Sequence, residues 1–201
     1  MGSRRPSGKV HGEIMGATYR ALCANGYANL SMRNIAAEFD KSKSLLYYHF
    51  DTKEELMLAF LDHVIGWVPA RLEESETEAP EERLVEFVDR FVIDPEEERR
   101  EGFALALFEL RMAAVHNDVF REKLTSHYHQ NEAALEAVLE DGVAAGVFPP
   151  LDPQQTATWA YAALEGARMR QVVLGVEGAT ARIAEGLLVQ LLDDADRRRI
   201  G

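Results

Sequence analysis

The stretch from Ser31 to His49 has room for two helices of only about two turns each, and helices that short do not stand alone in water. Ser31 is placed to cap residues 32–39, where Ile35, Ala36 and Phe39 form an apolar face. Asp40 and Lys41 turn the chain, and Ser42 is placed to cap residues 43–49. Such a pair has to be folded against longer neighbours, and both flanks supply one. Before it, residues 10–25 carry Ile14, Ala17, Ala21 and Leu22 on one stripe, with Asn25-Gly26 as a left-handed stop. After it, Asp51-Thr52-Lys53-Glu54 reads as a capping box ahead of a helix over 52–68 carrying Leu56, Leu58, Phe60, Leu61 and Val64.

Helical periodicity continues through the rest of the 201 residues, with apolar positions recurring at three and four and no alternating stretch of strand type. The acidic segment from Glu73 to Glu78 separates this body from the first four helices. Pro80 opens a helix with Leu84, Phe87, Val88, Phe91 and Val92 on one face. Residues 103–115 are apolar almost all round and are expected to be the most buried part of the body. Asn117 caps a long helix that Gly142 to Pro150 ends. Asp152-Pro153-Gln154-Gln155 starts another, running to about Leu174, and a last helix over 180–192 follows the break at Gly175 to Gly178. The fold class read from this pattern is all-α, with about nine helices: an N-terminal three-helix domain over 1–53 and a helical C-terminal domain over 54–201, joined by the fourth helix.

Charge divides the chain the same way. The net charge of −12 argues against a polyanionic partner until it is resolved along the sequence. Residues 1–53 hold eight basic and four acidic side chains, net +4, so the other 148 carry −16. A basic head on an acidic body is a pattern of polyanion binding. The helix, turn and short helix ahead of a capped fourth helix match a helix-turn-helix reader, whose second short helix enters the major groove. On residues 43–49, Lys43 and Ser44 are placed to reach base edges, and Tyr47, Tyr48 and His49 to donate to phosphate oxygens. Lys53, Ser31 and Arg33 stand at helix starts, where free N–H groups also favour phosphate. Arg4, Arg5 and Lys9 form a basic arm of the kind that can enter a minor groove.

Taken together, Leu30-Ser31-Met32-Arg33-Asn34-Ile35-Ala36, Leu46-Tyr47-Tyr48-His49-Phe50 and Lys53-Glu54-Glu55-Leu56 resemble the DNA-binding domain of the tetracycline-repressor (TetR) family over roughly residues 10–60. The resemblance implies a cytoplasmic homodimer, a repressor released from operator DNA by a small-molecule effector bound in the C-terminal body, with the last two helices pairing across the dimer. It assigns phosphate contacts to Ser31, Tyr47, Tyr48, His49 and Lys53, and base contacts to Arg33, Lys43, Ser44 and Leu45. Phe39-Asp40-Lys41 departs from the family's small, apolar turn, and Ser44 stands where glycine is common.

For the effector, an apolar or amphipathic molecule, the candidates are aromatic or polar residues within apolar helix stretches: Trp67, Phe91, Phe103, Phe108, Arg111, Met112, His116, Tyr128, Asn131, Trp159, Tyr161, Glu165 and Met169. Arg111 and Glu165 each need a partner, either one another or a surface charge. Ala160, Ala163, Gly166 and Ala167 with Ile183, Leu187 and Leu191 are candidates for the dimer interface. The alternative reading is a helical small-molecule carrier or interaction protein whose reader has degenerated.

Enzymatic and cofactor chemistry finds no support. His127 and His129 diverge on a helix, and neither a His-Glu-x-x-His motif nor a glycine-rich phosphate loop occurs. The lone Cys23 is read as a plain helical thiol. No run of about 18 apolar residues suggests a membrane span, and no apolar stretch follows Met1 to Ser7 as a leader would need.

Overall fold

The computed structural model describes residues 8–65, 79–92 and 98–192. Among these are nine α-helices and one 3₁₀ turn, with no strand. The helices are α1 (Gly8–Asn29), α2 (Met32–Ala37), α3 (Lys43–His49), α4 (Lys53–Ile65), α5 (Pro80–Asp89), α6 (Glu98–Ala113), α7 (Asp118–Ala145), α8 (Pro153–Leu174) and α9 (Ala179–Leu191); Ala114–His116 is the 3₁₀ turn.

Capping signals decide most helix starts. Asp152 accepts from Gln155 N–H at 3.0 Å, and Asn117 accepts from Val119 and Phe120 N–H, both at 3.1 Å. At α4 the box is formed one residue later than the spacing suggests: Thr52 accepts from Glu55 N–H at 3.1 Å, and Glu55 reaches back to Asp51 N–H at 3.0 Å. Ser42 sits at the N-cap of α3 but makes no side-chain cap bond. The Asn25-Gly26 stop is a break inside α1, with Gly26 at φ 68° and ψ 169°.

The chain divides into two compact units, each assembled from two stretches of sequence. The first comprises residues 1–66 and 97–125, the second 67–96 and 126–201. The reason lies in α6. It was expected to be the most buried part of the body, yet its Ala106 and Leu110 pack with Ile14, Met15, Ala17, Ala21 and Leu22 of α1 in the core of the first unit. Its contact with α1 is close: a Cβ on Gly102 would lie 2.9 Å from the Cys23 carbonyl oxygen. The other side of this segment is open, with Leu105, Met112 and Val115 exposed.

Within the first unit α2 and α3 are held through Ile35, Ala36, Phe39, Leu46 and Phe50, which join the same core as Leu56, Met57 and Phe60 of α4. Two ion pairs tie α1 to the end of α2 and the turn: Arg20 with Glu38 at 3.4 Å, and Lys41 with Glu13. His11 of α1 and His63 of α4 meet edge to face, with ring centroids 5.7 Å apart. Burial and, after it, the neighbouring His11 push the His63 pKa below its ordinary value.

The second unit packs α5, the later part of α7, α8 and α9 around Leu84, Phe87, Val88, Leu135, Val138, Leu139, Leu164, Leu187 and Leu191. Aromatic rings organise it. Tyr161 lies 4.8 Å from Tyr128 and 5.6 Å from Phe91, edge to face in both cases. The α8–α9 connection is closed by Gln171, whose side-chain oxygen accepts from Thr180 N–H at 3.1 Å and Thr180 Oγ1 at 2.9 Å. Phe148 folds back over Gly142, leaving no room there for a Cβ.

Two consequences are measurable. Tyr161 is 1% exposed, so Tyr161→Ala is expected to lower unfolding free energy by about 3–5 kcal/mol in chemical denaturation. His63 prefers the neutral form when folded, so below about pH 6.5 the unfolded chain takes up the proton first and stability falls with pH. His63→Gln should flatten that part of the melting-temperature profile between about pH 7.5 and 5.5.

Candidate nucleic-acid interface

On α3 the sequence sorts its side chains by angle. At about 100° per residue, Lys43, Ser44, Tyr47 and Tyr48 fall within one arc of about 140°, while Leu45, Leu46, His49 and Phe50 fall on the opposite side. The first four are all exposed, Tyr47 at 45% and Tyr48 at 55%. Leu46 and Phe50 are core and Leu45 is half-buried against it. His49 is 8% exposed, on the inner side of α3, with its ring edge-on to Tyr48 at 5.1 Å. The helical period places it there, between Leu45 and Leu46.

At the start of α2, Ser31 has extended backbone and caps the helix, its Oγ accepting from Asn34 N–H at 3.2 Å and its hydroxyl donating to Asn34 Oδ1. Arg33 is exposed. Lys53, in the first turn of α4, is half-buried. Its Nζ donates to the Tyr27 carbonyl oxygen at 3.4 Å and stands 4.4 Å from the centre of the Tyr27 ring. Burial first, and Glu54 second, raise the Tyr27 pKa, so the phenol keeps its proton beneath the ammonium.

These residues form two groups with different chemistry. Lys43, Ser44, Tyr47 and Tyr48 present a cation, hydroxyls and ring edges along a helix narrow enough for a major groove. Ser31, Arg33 and Lys53 sit at the two helix N-termini beside it, where hydroxyl, guanidinium and ammonium donors suit phosphate oxygens. Asn25 and Asn34, not expected as site residues, link the two helices. Asn34 Nδ2 donates to Asn25 Oδ1 at 3.3 Å, and Asn25 Nδ2 to the Ala21 carbonyl at 2.7 Å. An Asn-Gly pair read only as a helix stop hides this second role. Arg4 and Arg5 of the basic arm lie outside the described residues, and Lys9 is exposed on α1.

The effector candidates do not gather in one place. In the first unit Phe103 rests on Tyr19 at 4.9 Å and Phe60 at 6.2 Å, Arg111 lies over Phe108 at 5.2 Å, and Met112 and His116 are exposed. In the second unit Phe91, Tyr128 and Tyr161 form the aromatic cluster, and Asn131, 3% exposed, donates to the His127 carbonyl at 3.0 Å. Glu165 pairs with Arg168 at 3.3 Å, and that guanidinium covers the Phe91 ring at 4.4 Å and donates to the Arg90 carbonyl at 2.8 Å. Trp159 and Met169 are exposed, and Trp67 lies outside the described residues.

Of the dimer candidates, Ala160, Ala167, Leu187 and Leu191 are 1–5% exposed because they fill the second unit's own core. Ala163, Gly166 and Ile183 are half-buried. A shallow cleft of about 130 Å³ between α8 and α9 is lined by Trp159, Ala163, Arg182, Ile183, Gly186 and Gln190 among others. Among the described residues, no helix is long and apolar enough to cross a membrane, and no group of three His, Cys, Asp or Glu side chains is arranged to hold a metal ion.

A short helix pair propped on a third helix and showing a basic, hydroxyl-rich strip defines a helix-turn-helix DNA-binding protein with a separate helical body. Residues 14–60 match the bacterial regulatory proteins of the TetR family, and residues 80–196 match the C-terminal domain of BetI-type transcriptional repressors. The chain therefore belongs to the TetR family of transcriptional regulators. No curated protein matches it closely in sequence. Among solved structures it is similar to a TetR transcription regulator from Haloarcula marismortui, 30% identical, with TM-score 0.79 over 93% of this chain and 100% of that one. It shares its fold with a transcriptional regulator from Saccharomonospora viridis in complex with choline, 22% identical, TM-score 0.75, covering 93% and 100% of the two chains. The same holds for FadR from Bacillus subtilis in complex with stearoyl-CoA, 18% identical, TM-score 0.68, covering 89% and 95%.

Side chains that read bases and side chains that hold phosphate respond differently to mutation. Lys43→Ala is expected to weaken the preferred duplex by about 1–3 kcal/mol and narrow the gap to unrelated sequences. Arg33 stands on the axis of neither role in the geometry alone. If Arg33→Ala lowers affinity for all duplexes alike in fluorescence anisotropy, its contact is to phosphate; if it changes only the preferred one, its contact is to a base.

Proposed function

We propose that the chain is a homodimeric repressor that binds operator DNA through α3 and leaves it when a small molecule occupies the body. The observation that carries this reading is the single exposed arc of Lys43, Ser44, Tyr47 and Tyr48 on a helix whose other side is core. Base contacts come from Lys43 and Ser44, joined by Arg33 and by the half-buried Leu45. Tyr47, Tyr48, Ser31 and Lys53 hold phosphates. His49 supports α3 from within.

Homodimerisation uses the outer faces of α8 and α9. Trp159 and Val189 are each 51% exposed, and Gly166 and Gly186 present bare backbone with open space around the Cβ position. Large apolar groups beside small ones favour close helix contact with a second copy. Two linked readers then engage half-sites about 34–36 Å apart, and an effector acts by favouring a dimer whose readers no longer match that spacing.

The effector is an apolar or amphipathic small molecule. In support, the second unit offers Phe91, Tyr128 and Tyr161 beside the Glu165–Arg168 pair, and structures of the same fold hold choline and stearoyl-CoA. Tyr128 and Asn131 are its first candidates for contact.

Duplexes enriched from a random pool by the purified protein test the DNA-binding part. Affinity should fall by about a thousandfold as salt rises from about 50 to about 200 mM, and the absence of any enriched duplex at low salt would refute it. Trp159→Arg tests the dimer. Trp159 is half exposed, so the fold should survive, while sedimentation should show a monomer and operator affinity should drop at least tenfold.

A further inference from the structure

We propose that Glu109 of α6 is a positioning residue for DNA binding: its carboxylate holds the break in α1 in the conformation that sets Ser31 and Lys53 for phosphate. The inference rests on the proposed operator binding. It concerns a residue that touches no DNA and lies in the segment matched by the C-terminal family model, 49 residues beyond the end of the reader match at residue 60.

The break itself calls for support. Gly26 takes φ 68° and ψ 169°, a region that glycine enters without strain but that fixes nothing by itself, so the break is held only as firmly as its surroundings hold it. Glu109 is that surrounding. A Cβ on Gly26 would meet its Oε2 at 2.8 Å and its Oε1 at 2.9 Å, so the glycine leaves the space the carboxylate fills. Oε2 accepts from Ala28 N–H at 3.0 Å, a bond to a backbone group just past the break and 81 residues away in sequence.

From this point two short paths lead to the phosphate donors. On one side, Asn25 Oδ1 accepts from Asn34, and Asn34 in turn is bonded to Ser31 through both its N–H and its Oδ1. On the other, Tyr27 holds Lys53 with its carbonyl and its ring, and the same carbonyl accepts from Leu30 N–H at 3.3 Å. Residues 25–31 are thus gripped from α2, α4, α6 and α7 at once. Two grips come from outside the reader: the Glu109 carboxylate on α6, and Phe120 of α7, whose ring meets Tyr27 edge to face at 6.0 Å.

The fold does not depend on this bond. The seam between α1 and α6 is already closed by Gly102 against the Cys23 carbonyl, two helical turns along the same face, and by buried Ala106 and Leu110, whereas the Glu109 bond to Ala28 is exposed to solvent. Removing the carboxylate should therefore loosen residues 25–31 without unfolding the unit.

The test measures operator affinity against salt, by fluorescence anisotropy, on duplexes enriched from a random pool by the wild-type protein. Glu109→Ala is expected to bind about tenfold more weakly, with the salt slope reduced by about one as Lys53 loses its placement. Glu109→Gln keeps an oxygen that accepts from Ala28 and should stay close to wild type. Glu109→Asp, one methylene short of the amide, should behave like the alanine variant and keeps the test decisive if that variant melts early. A folding defect alone would lower the active fraction and leave the slope unchanged. Wild-type affinity and slope in Glu109→Ala, or equal losses in the alanine and glutamine variants, would overturn the positioning role while leaving operator binding intact. If the wild-type protein enriches no duplex, the operator reading fails and the positioning role falls with it.

Discussion

The reader depends on the close packing of α6 against α1. Helices of six and seven residues cannot nucleate or persist alone, and α2 and α3 borrow their order from a longer partner. That partner, α1, presents Ile14, Met15, Ala17, Ala21 and Leu22 fully buried, but α2, α3 and α4 do not cover it alone. Ala106 and Leu110 of α6 complete the cover, and glycine at position 102 permits the approach by bringing backbone against backbone at Cys23. A larger residue there would open the seam, and dispersion attraction falls off steeply with such a gap. The first unit is therefore assembled from two distant pieces of chain, and a segment of the C-terminal family match is a structural part of the DNA-reading head.

Electrostatics act locally in this molecule. The +4 of residues 1–53 is untouched by its ion pairs, because Arg20 with Glu38 and Lys41 with Glu13 each remove one charge of either sign. What remains is placed where it counts: Arg33 and Lys43 are exposed, and Lys53 lies over Tyr27 at the start of α4. The −16 on the rest of the chain does not cancel them, since exposed charges more than about 8–10 Å apart are largely screened at physiological salt. It adds a general repulsion that leaves the reader's strip as the favourable surface for a polyanion.

Much of this was legible in the sequence because it rests on local rules. The caps at Ser31, Asn117 and Asp152, the left-handed Gly26 and the inward Leu46 and Phe50 all follow from spacing and residue type, and so do the nine helices among the described residues. The inward side of α3 on which His49 lies was legible too, since the period puts it with Leu46. The place of α6 was not legible. Its apolar residues run almost all round, so periodicity does not say which neighbour they meet, and nothing in the local pattern tells that Gly102 faces a carbonyl of α1. The dimer candidates show the same ambiguity: Ala160 and Ala163 look alike in sequence and both line the cleft between α8 and α9, and only the packing tells that Ala160 also fills the core.

A long-range contact such as Glu109 with Ala28 was equally invisible, and its size bounds what it can do. A hydrogen bond to a charged acceptor is worth about 1.5–3 kcal/mol, and an exposed one falls at or below the lower end of that range. Release of a repressor from a 99:1 occupied state to a 1:99 one requires about 5.5 kcal/mol of differential binding. In the proposed dimer, a tether at each of two readers would supply a fraction of that, about half at most. The remainder has to come from a change that both readers feel together, and in a dimer the spacing of the recognition helices is such a quantity, because misplacing one half-site loses all of its contacts at once. In the proposed dimer the bond at Ala28 would set how firmly each reader is held, and the body whether two readers fit the DNA.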